Sequence, residues 1–264
     1  MTDAEPDRCS APYRVRFDEG GPDGLIRLSV LLRYTQDLAG HHSAARGYGR
    51  DWYAERGITW LVRTAEVAIV APIAVGDELV GTTQVVGWRR VWARRRTEFH
   101  DPAGDLVARV QIDWVLLDAR GAPTRIPAEF DGVFGAPAAT FGLARVDLGE
   151  ASGEVTTTTF RVRPQELDPM DHVNNAVYAD WLDEAVLGVG GSAAVRMVPR
   201  LVRLEYARAA EPMATIVAEA WQDGEAWSCR IAQPDGVDLL RARLEPLPPT
   251  EQVEGQAGSR RPGM

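Results

Sequence analysis

The chain has 264 residues, 45% of them hydrophobic and 25% charged, with 29 basic against 38 acidic side chains and a net charge of −9. That composition excludes disordered and fibrous classes and allows one large domain or two small ones, each with an apolar core. Arginines and acids break every hydrophobic stretch, so a membrane-spanning helix is not expected, and a chain this acidic repels nucleic acid.

In chain order, the first ten residues (MTDAEPDRCS) carry neither a basic start nor an apolar run, so no signal peptide is expected and the expected compartment is the cytoplasm. Ser29 is a candidate N-cap for a helix whose stripe holds Leu31, Tyr34, Leu38 and His42. The period then shortens to that of strands, near 61–71, 78–90, 92–99 and 106–117, with a turn at Asp101-Pro102-Ala103-Gly104. Residues 128–153, rich in Ala, Gly and Pro, read as an interdomain linker running over the surface. A second helix is expected from about Asn174 to Leu187, where Val173, Val177, Trp181 and Ala185 recur every four residues. Further strands follow near 200–208, 214–221, 226–232 and 238–245, with a hairpin turn at Asp223-Gly224. The polar tail over 248–264 is expected to be disordered.

This order occurs twice, and three landmarks mark it. Tyr13-Arg14-Val15-Arg16 returns as Phe160-Arg161-Val162-Arg163, Leu61-Val62-Arg63 as Leu201-Val202-Arg203, and the Asp101–Gly104 turn as Pro234-Asp235-Gly236. The spacing between copies falls from 147 to 140 to 132 residues, the drift expected of a second copy with shorter loops. The expected architecture is α+β, with two tandem units over 12–127 and 154–247, each an antiparallel sheet wrapped around one long helix. A duplicated unit lets one chain supply the interface that a dimer makes, so a monomer with an internal pseudo-dimer and a homodimer both stay open.

The two cysteines, Cys9 and Cys229, show no CxxC or Cys/His spacing, so neither a disulfide framework nor a metal site is expected, and no cofactor is implied. All basic residues are arginine, which excludes lysine Schiff-base chemistry. Arg89, Arg90, Arg94, Arg95 and Arg96 cluster with Trp88 and Trp92. Strand alternation splits such a run between two faces, so it reads first as a solvated outer face. As a functional surface, it would meet an acidic carrier protein or a CoA phosphate.

The most distinctive stretch is Leu167-Asp168-Pro169-Met170-Asp171-His172-Val173-Asn174-Asn175-Ala176-Val177-Tyr178, continuing to Trp181 and Glu184. It resembles the helix-entry segment of hotdog-fold thioesterases. The double copy narrows the resemblance to the acyl-ACP thioesterases of bacteria and plants, and Gln36-Asp37, Ala39, His42 and Gly47 resemble that family's N-terminal helix pattern. The resemblance implies two hotdog domains and hydrolysis of a fatty acyl-ACP to free fatty acid, a step of fatty acid biosynthesis, with acyl carrier protein or a CoA thioester as the partner. It puts the catalytic aspartate and histidine on Asp168 and His172. The family's asparagine, two positions after the aspartate, falls on Met170, and its Glu-Cys pair after Leu204-Glu205-Tyr206 falls on Ala209 and Ala210.

Thioester hydrolysis needs a base or nucleophile at the carbonyl carbon and donors at its oxygen. Asp168 suits the first task, and backbone N–H groups of the first helical turn suit the second. His172 could orient the carboxylate, bind water or donate to the thioester oxygen. Asn174 and Asn175 could hold the turn or the pantetheine amides. Acyl-CoA hydrolysis and non-catalytic acyl or pantetheine binding are the alternatives.

Overall fold

The computed structural model describes residues 7–134 and 145–249. In the first half, β1 (Arg8–Arg14), α1 (Leu28–Ala45) and α2 (Arg50–Glu55) precede β2 (Ile58–Ile69), β3 (Glu78–Arg89), β4 (Trp92–His100) and β5 (Leu106–Asp118). The second half repeats this with β6 (Thr156–Arg161), α3 (Val177–Gly188), α4 (Ser192–Arg196), β7 (Arg200–Tyr206), β8 (Thr215–Asp223), β9 (Ala226–Ala232) and β10 (Asp238–Pro246). The ten strands form one antiparallel sheet in the order β1-β3-β4-β5-β2-β7-β10-β9-β8-β6. That order is a palindrome once β6–β10 are equated with β1–β5, so two tandem hotdog domains meet across a pseudo-two-fold axis between β2 and β7.

Each long helix lies in the curve of its own half-sheet because its apolar side has nowhere else to go. Leu28, Leu31 and Leu38 of α1, and Tyr178, Leu182 and Ala185 of α3, are fully buried; each large side chain contributes about 1.5–3 kcal/mol by leaving water. The two Arg-Val-Arg landmarks do the same work in both halves. Tyr13 stacks on Tyr34 at 4.3 Å and Phe160 on Trp181 at 6.0 Å, while Val15 and Val162 enter the core. Both turn landmarks close equivalent hairpins, with Gly104 at φ +89° and Gly236 at φ +88° supplying the left-handed residue.

The Leu-Val-Arg landmark is a coincidence of composition. Counting from Gly104 and Gly236, Val110 matches Ala242; Val110 pairs with Val67 and Ala242 with Leu204. Val67 is therefore the counterpart of Leu204, and Leu201 matches Thr64 instead of Leu61. The same register makes Glu66 the counterpart of Arg203, and these two residues face each other directly across the axis, Nε to Oε2 3.1 Å.

Several expectations need correction. The first strand opens at Arg8, so Cys9 pairs with Thr83 inside the sheet, and edge strands β1 and β6 join the strands read from sequence. Helix α1 is preceded by Arg27, with Ser29 buried and its hydroxyl accepting from Arg33 at 2.9 Å. Helix α3 starts at Val177, later than expected, because Asn174 Oδ1 accepts the Ala176 N–H at 2.9 Å and holds a turn there. The described ends of the 128–153 segment are exposed over most of their residues, but they dip into the core at four. Phe130 and Phe134 are buried, as are Val146 and Leu148. Val146 N–H donates to Glu205 at 3.0 Å and Ser228 donates to Leu148 O, which fastens this segment to the second half-sheet. Residues 135–144 of that segment and 250–264 of the tail lie outside the described residues. No helix among the described residues is long and apolar enough to cross a membrane.

Candidate active site

The four residues singled out in sequence come together in one tight loop at the entry to α3. The Asp168 N–H donates to His172 O at 2.7 Å, Asp171 N–H to Asp168 O at 3.0 Å, and Asn174 N–H to Glu166 O at 2.9 Å. Asp168 Oδ1 accepts from the N–H groups of Met170 at 2.8 Å and His172 at 3.2 Å. Asp168 therefore is a turn former, and its Oδ2 has no hydrogen-bond partner among the described residues. The His172 side chain is exposed, and Met170 is 46% exposed.

Ahead of the loop, Glu166 Oε2 accepts the Arg163 N–H at 2.6 Å and pins its start. Glu166→Ala should cost about 0.5–2 kcal/mol, as loss of a capping acceptor does, read as a fall in Tm together with a raised KM.

Asn174 holds the turn and Asn175 accepts the Tyr206 hydroxyl on its carbonyl at 3.0 Å. Ala176 N–H, one of the expected oxyanion donors, is taken by Asn174. The Asn175 N–H has no backbone or side-chain partner among the described residues and is the donor left for that task. The segment that holds Ala209 and Ala210 is fixed from two sides. Arg63 donates to Tyr206 O and, at 2.9 Å, to Ala207 O, and Ala210 N–H donates to the Tyr178 hydroxyl at 2.8 Å. Arg63 reads from sequence only as part of a repeat landmark, with no role at the site, and Tyr178 reads as core from its spacing alone.

The first half carries the same loop without the chemistry. There Gly21 N–H donates to Leu25 O at 2.8 Å, Gly24 N–H to Gly21 O at 3.0 Å and Arg27 N–H to Glu19 O at 3.1 Å. Bond for bond, Gly21 stands where Asp168 does, Leu25 where His172 does and Arg27 where Asn174 does. Gly24 at φ +77° answers to Asp171 at φ +60°, a left-handed position that aspartate tolerates. Of two equivalent helix entries, only the second has a carboxylate at this position; the first carries Asp23 two residues on, where its Oδ1 accepts the Leu25 N–H at 3.1 Å.

The Asp168 loop rests on the first domain. Arg50 of α2 donates to Pro169 O at 3.3 Å, and Thr59 of β2 meets Met170 Sδ at 3.3 Å. The same α2 and β2 supply Tyr53 and Trp60 to an apolar cavity of about 220 Å³ between α1 and its sheet, closed by Trp88, Trp114, Phe130 and Phe134. Arg95 enters this cavity as its one charged wall residue. Its guanidinium donates to His42 Nδ1 at 2.8 Å, and His42 Nε2–H donates to Asp7 Oδ2 at 2.8 Å. Burial, then the Arg95 charge, lowers the His42 pKa, so the imidazole is neutral; burial holds Arg95 down to about 10.

The arginine cluster is thereby dispersed. Arg95 points inward, Arg94 makes a bidentate pair with Asp113 at 2.7 and 2.8 Å on the outer face, and Arg89 and Arg90 stay exposed at the β3–β4 hairpin. No single docking surface holds all five.

Comparison with known proteins agrees with this anatomy. The family models for the acyl-ACP thioesterase N-terminal and C-terminal domains match residues 7–131 and 149–226. A chloroplast dodecanoyl-[acyl-carrier-protein] hydrolase from Cinnamomum camphora is 26% identical over 194 residues, 66% of this chain and 50% of that protein, so the chain spans about half the length of this curated relative. Among solved structures, a provisionally assigned oleoyl thioesterase from Lactobacillus plantarum superposes with a TM-score of 0.80 at 20% identity, covering 94% of this chain and 98% of that one. A 12:0-ACP thioesterase from Umbellularia californica gives 0.73 at 20% identity over 92% and 98%. With both domain models matched in order along the two halves of its palindromic sheet, the chain belongs to the acyl-ACP thioesterase family.

Proposed function

We propose that this protein hydrolyses the thioester of a fatty acyl group carried on acyl carrier protein, releasing the free acid for cytoplasmic fatty acid metabolism. The observation that carries the reading is the asymmetry of the two helix entries. Asp168 stands in one and Gly21 at the same position of the other, and the loop with Asp168 rests on the elements that wall the apolar cavity.

In this reading Asp168 Oδ2 takes a proton from water as the water oxygen attacks the carbonyl carbon, or attacks that carbon itself. The Asn175 N–H receives the developing oxyanion. In the first case Asp168 returns that proton to the leaving thiolate; in the second the C–S bond breaks, the thiolate takes a proton from solvent, and water hydrolyses the acyl-aspartate anhydride to the free acid. His172, at the solvent side, donates to the thioester or holds the water. The acyl chain occupies the cavity under Phe130 and Phe134. We take the domain limits as 12–127 and 154–247, extended to Arg8 at the first strand.

Acyl-ACP donors of graded chain length, assayed for free thiol, test the reading. Release from at least one donor, faster than from the matching acyl-CoA, is the expected result. Binding without release would instead favour a non-catalytic acyl carrier, the reading that Met170, Ala209 and the turn-forming role of Asp168 keep in view. Ala39 lines the cavity from α1. Ala39→Phe should cut the rate on the longest accepted chain by about 10-fold or more and spare the shortest, since one or two methylenes of pocket depth are worth ~1–3 kcal/mol each.

A further inference from the structure

The pseudo-two-fold axis carries every part of the Asp168 site to a second place. Gly21, Asp23 and Leu25 take the positions of Asp168, Met170 and His172, and Arg196 lies 3.9 Å from Asp23 as Thr59 lies 3.3 Å from Met170. Asp183 of α3 and Arg200 of β7 take the positions of Gln36 and Arg63. Here the two halves enclose a cleft of about 750 Å³.

Two of its polar groups are buried without partners. Arg200 is 5% exposed, and its Nε, like Asp183 Oδ1, is buried with no hydrogen-bond partner among the described residues. Arg63, the counterpart of Arg200, is satisfied by the carbonyls of Tyr206 and Ala207. Native proteins leave few buried polar atoms unpaired, because each costs ~1–3 kcal/mol, and two lining one cleft call for a ligand.

We propose that this cleft is a second, non-hydrolytic binding site for a carboxylate with an apolar tail, its head on Arg200 and Asp183 and its tail along Leu187, Val195 and Val198. The identification of that ligand with the product acid rests on the hydrolase reading; the site itself does not.

Charge selects the head group. Of the other cations of the cleft, Arg33 pairs with Asp180 at 3.2 Å, Arg196 lies near Asp23, Arg27 donates to Asp18 O at 3.0 Å, and Arg163 is exposed to solvent. Arg163 and Glu184 complete the wall. Arg200 is the buried guanidinium that lacks a fitted acceptor. Burial pushes the Asp183 carboxyl up to about 7, opposed by Arg200 and reinforced by Asp180 and Asp23. Protonated, Asp183 donates to a carboxylate oxygen; ionised, it competes with the ligand for Arg200. Binding should therefore take up one proton.

Titration calorimetry of the full chain with decanoate, kept below its micellar range, tests this without any turnover. The wild type should bind up to about tenfold more tightly at pH 6 than at pH 8, the limit for one linked group that titrates near 7. Asp183→Asn should remove that dependence and bind at pH 8 at least as tightly as the wild type at pH 6. Arg200→Met should weaken binding tenfold or more at both pH values. Decanoate can also enter the apolar cavity, so the series is repeated on Ala39→Phe and should be unchanged there. The proposal is overturned by an Arg200→Met affinity within twofold of wild type, by an Asp183→Asn that binds more weakly or keeps the pH dependence, or by loss of binding in Ala39→Phe. The Asp183→Asn gain cannot arise from misfolding, and all arms read the same whether or not the protein hydrolyses thioesters.

Discussion

Asp168→Asn is expected to lower kcat on acyl-ACP by at least about 100-fold, within the ~10²–10⁴ that a positioned general base supplies, while KM and Tm hold. The substitution separates the two things this residue does. Asparagine keeps an Oδ1 that accepts from Met170 and His172, so the turn at 2.8 and 3.2 Å survives. What it replaces is Oδ2, the atom without a partner among the described residues, by an amide nitrogen that neither takes a proton nor attacks carbon. Asp168→Ala would remove both functions and blur them. Steady-state kinetics beside a thermal melt decides, and an Asn variant as fast as wild type would reduce Asp168 to a turn former and place the catalytic base elsewhere.

Much of the architecture was legible because strands and helices announce themselves by period. The stripe Leu31, Tyr34, Leu38 and His42 is buried as a stripe, and alternation in β4 does send Arg95 inward and Arg94 outward. What stayed illegible depends on partners distant in sequence. Nothing near Arg95 says that its guanidinium will meet His42 and, beyond it, Asp7. Nothing in an Ala/Gly/Pro-rich stretch says that Phe130 and Phe134 will close a cavity. The Asp168 motif was read correctly as a helix entry, yet the helix opens later than its period implies, because Asn174 competes for the backbone as short polar side chains do.

The duplication explains why the halves could diverge. On the axis of a true homodimer a residue faces its own copy, so an ionised side chain there meets its like. With both copies on one chain, the two axial positions became Glu66 and Arg203, and Arg203 also reaches Glu245. These groups are partly exposed, so the pair adds little stability. Its significance is that equivalent positions of the two halves carry different chemistry: Gly21 stands where Asp168 does, and Asp183 and Arg200 stand where Gln36 and Arg63 do across the axis.

That divergence should be visible in stability as well as in binding. A carboxyl whose pKa rises on folding, as that of Asp183 does from 3.8 to about 7, favours the unfolded chain once it ionises. Its contribution is fully present below the unfolded value and is lost as pH climbs through about 7. A shift of this size corresponds to ~4 kcal/mol at full effect, and about half of that remains to be lost between pH 5 and pH 8. Allowing for the partial exposure of the side chain at the cleft, the stability advantage of Asp183→Asn over wild type should grow by on the order of 2 kcal/mol across that interval. Paired urea unfolding curves at pH 5 and pH 8 read the difference, and titrations common to both proteins cancel. Arg200 sets the sign in question. If its attraction for the Asp183 carboxylate outweighed the desolvation of that carboxylate, the variant would instead lose ground as pH rises, the pair would be a structural salt bridge, and the cleft would have no unfilled cation to offer a ligand.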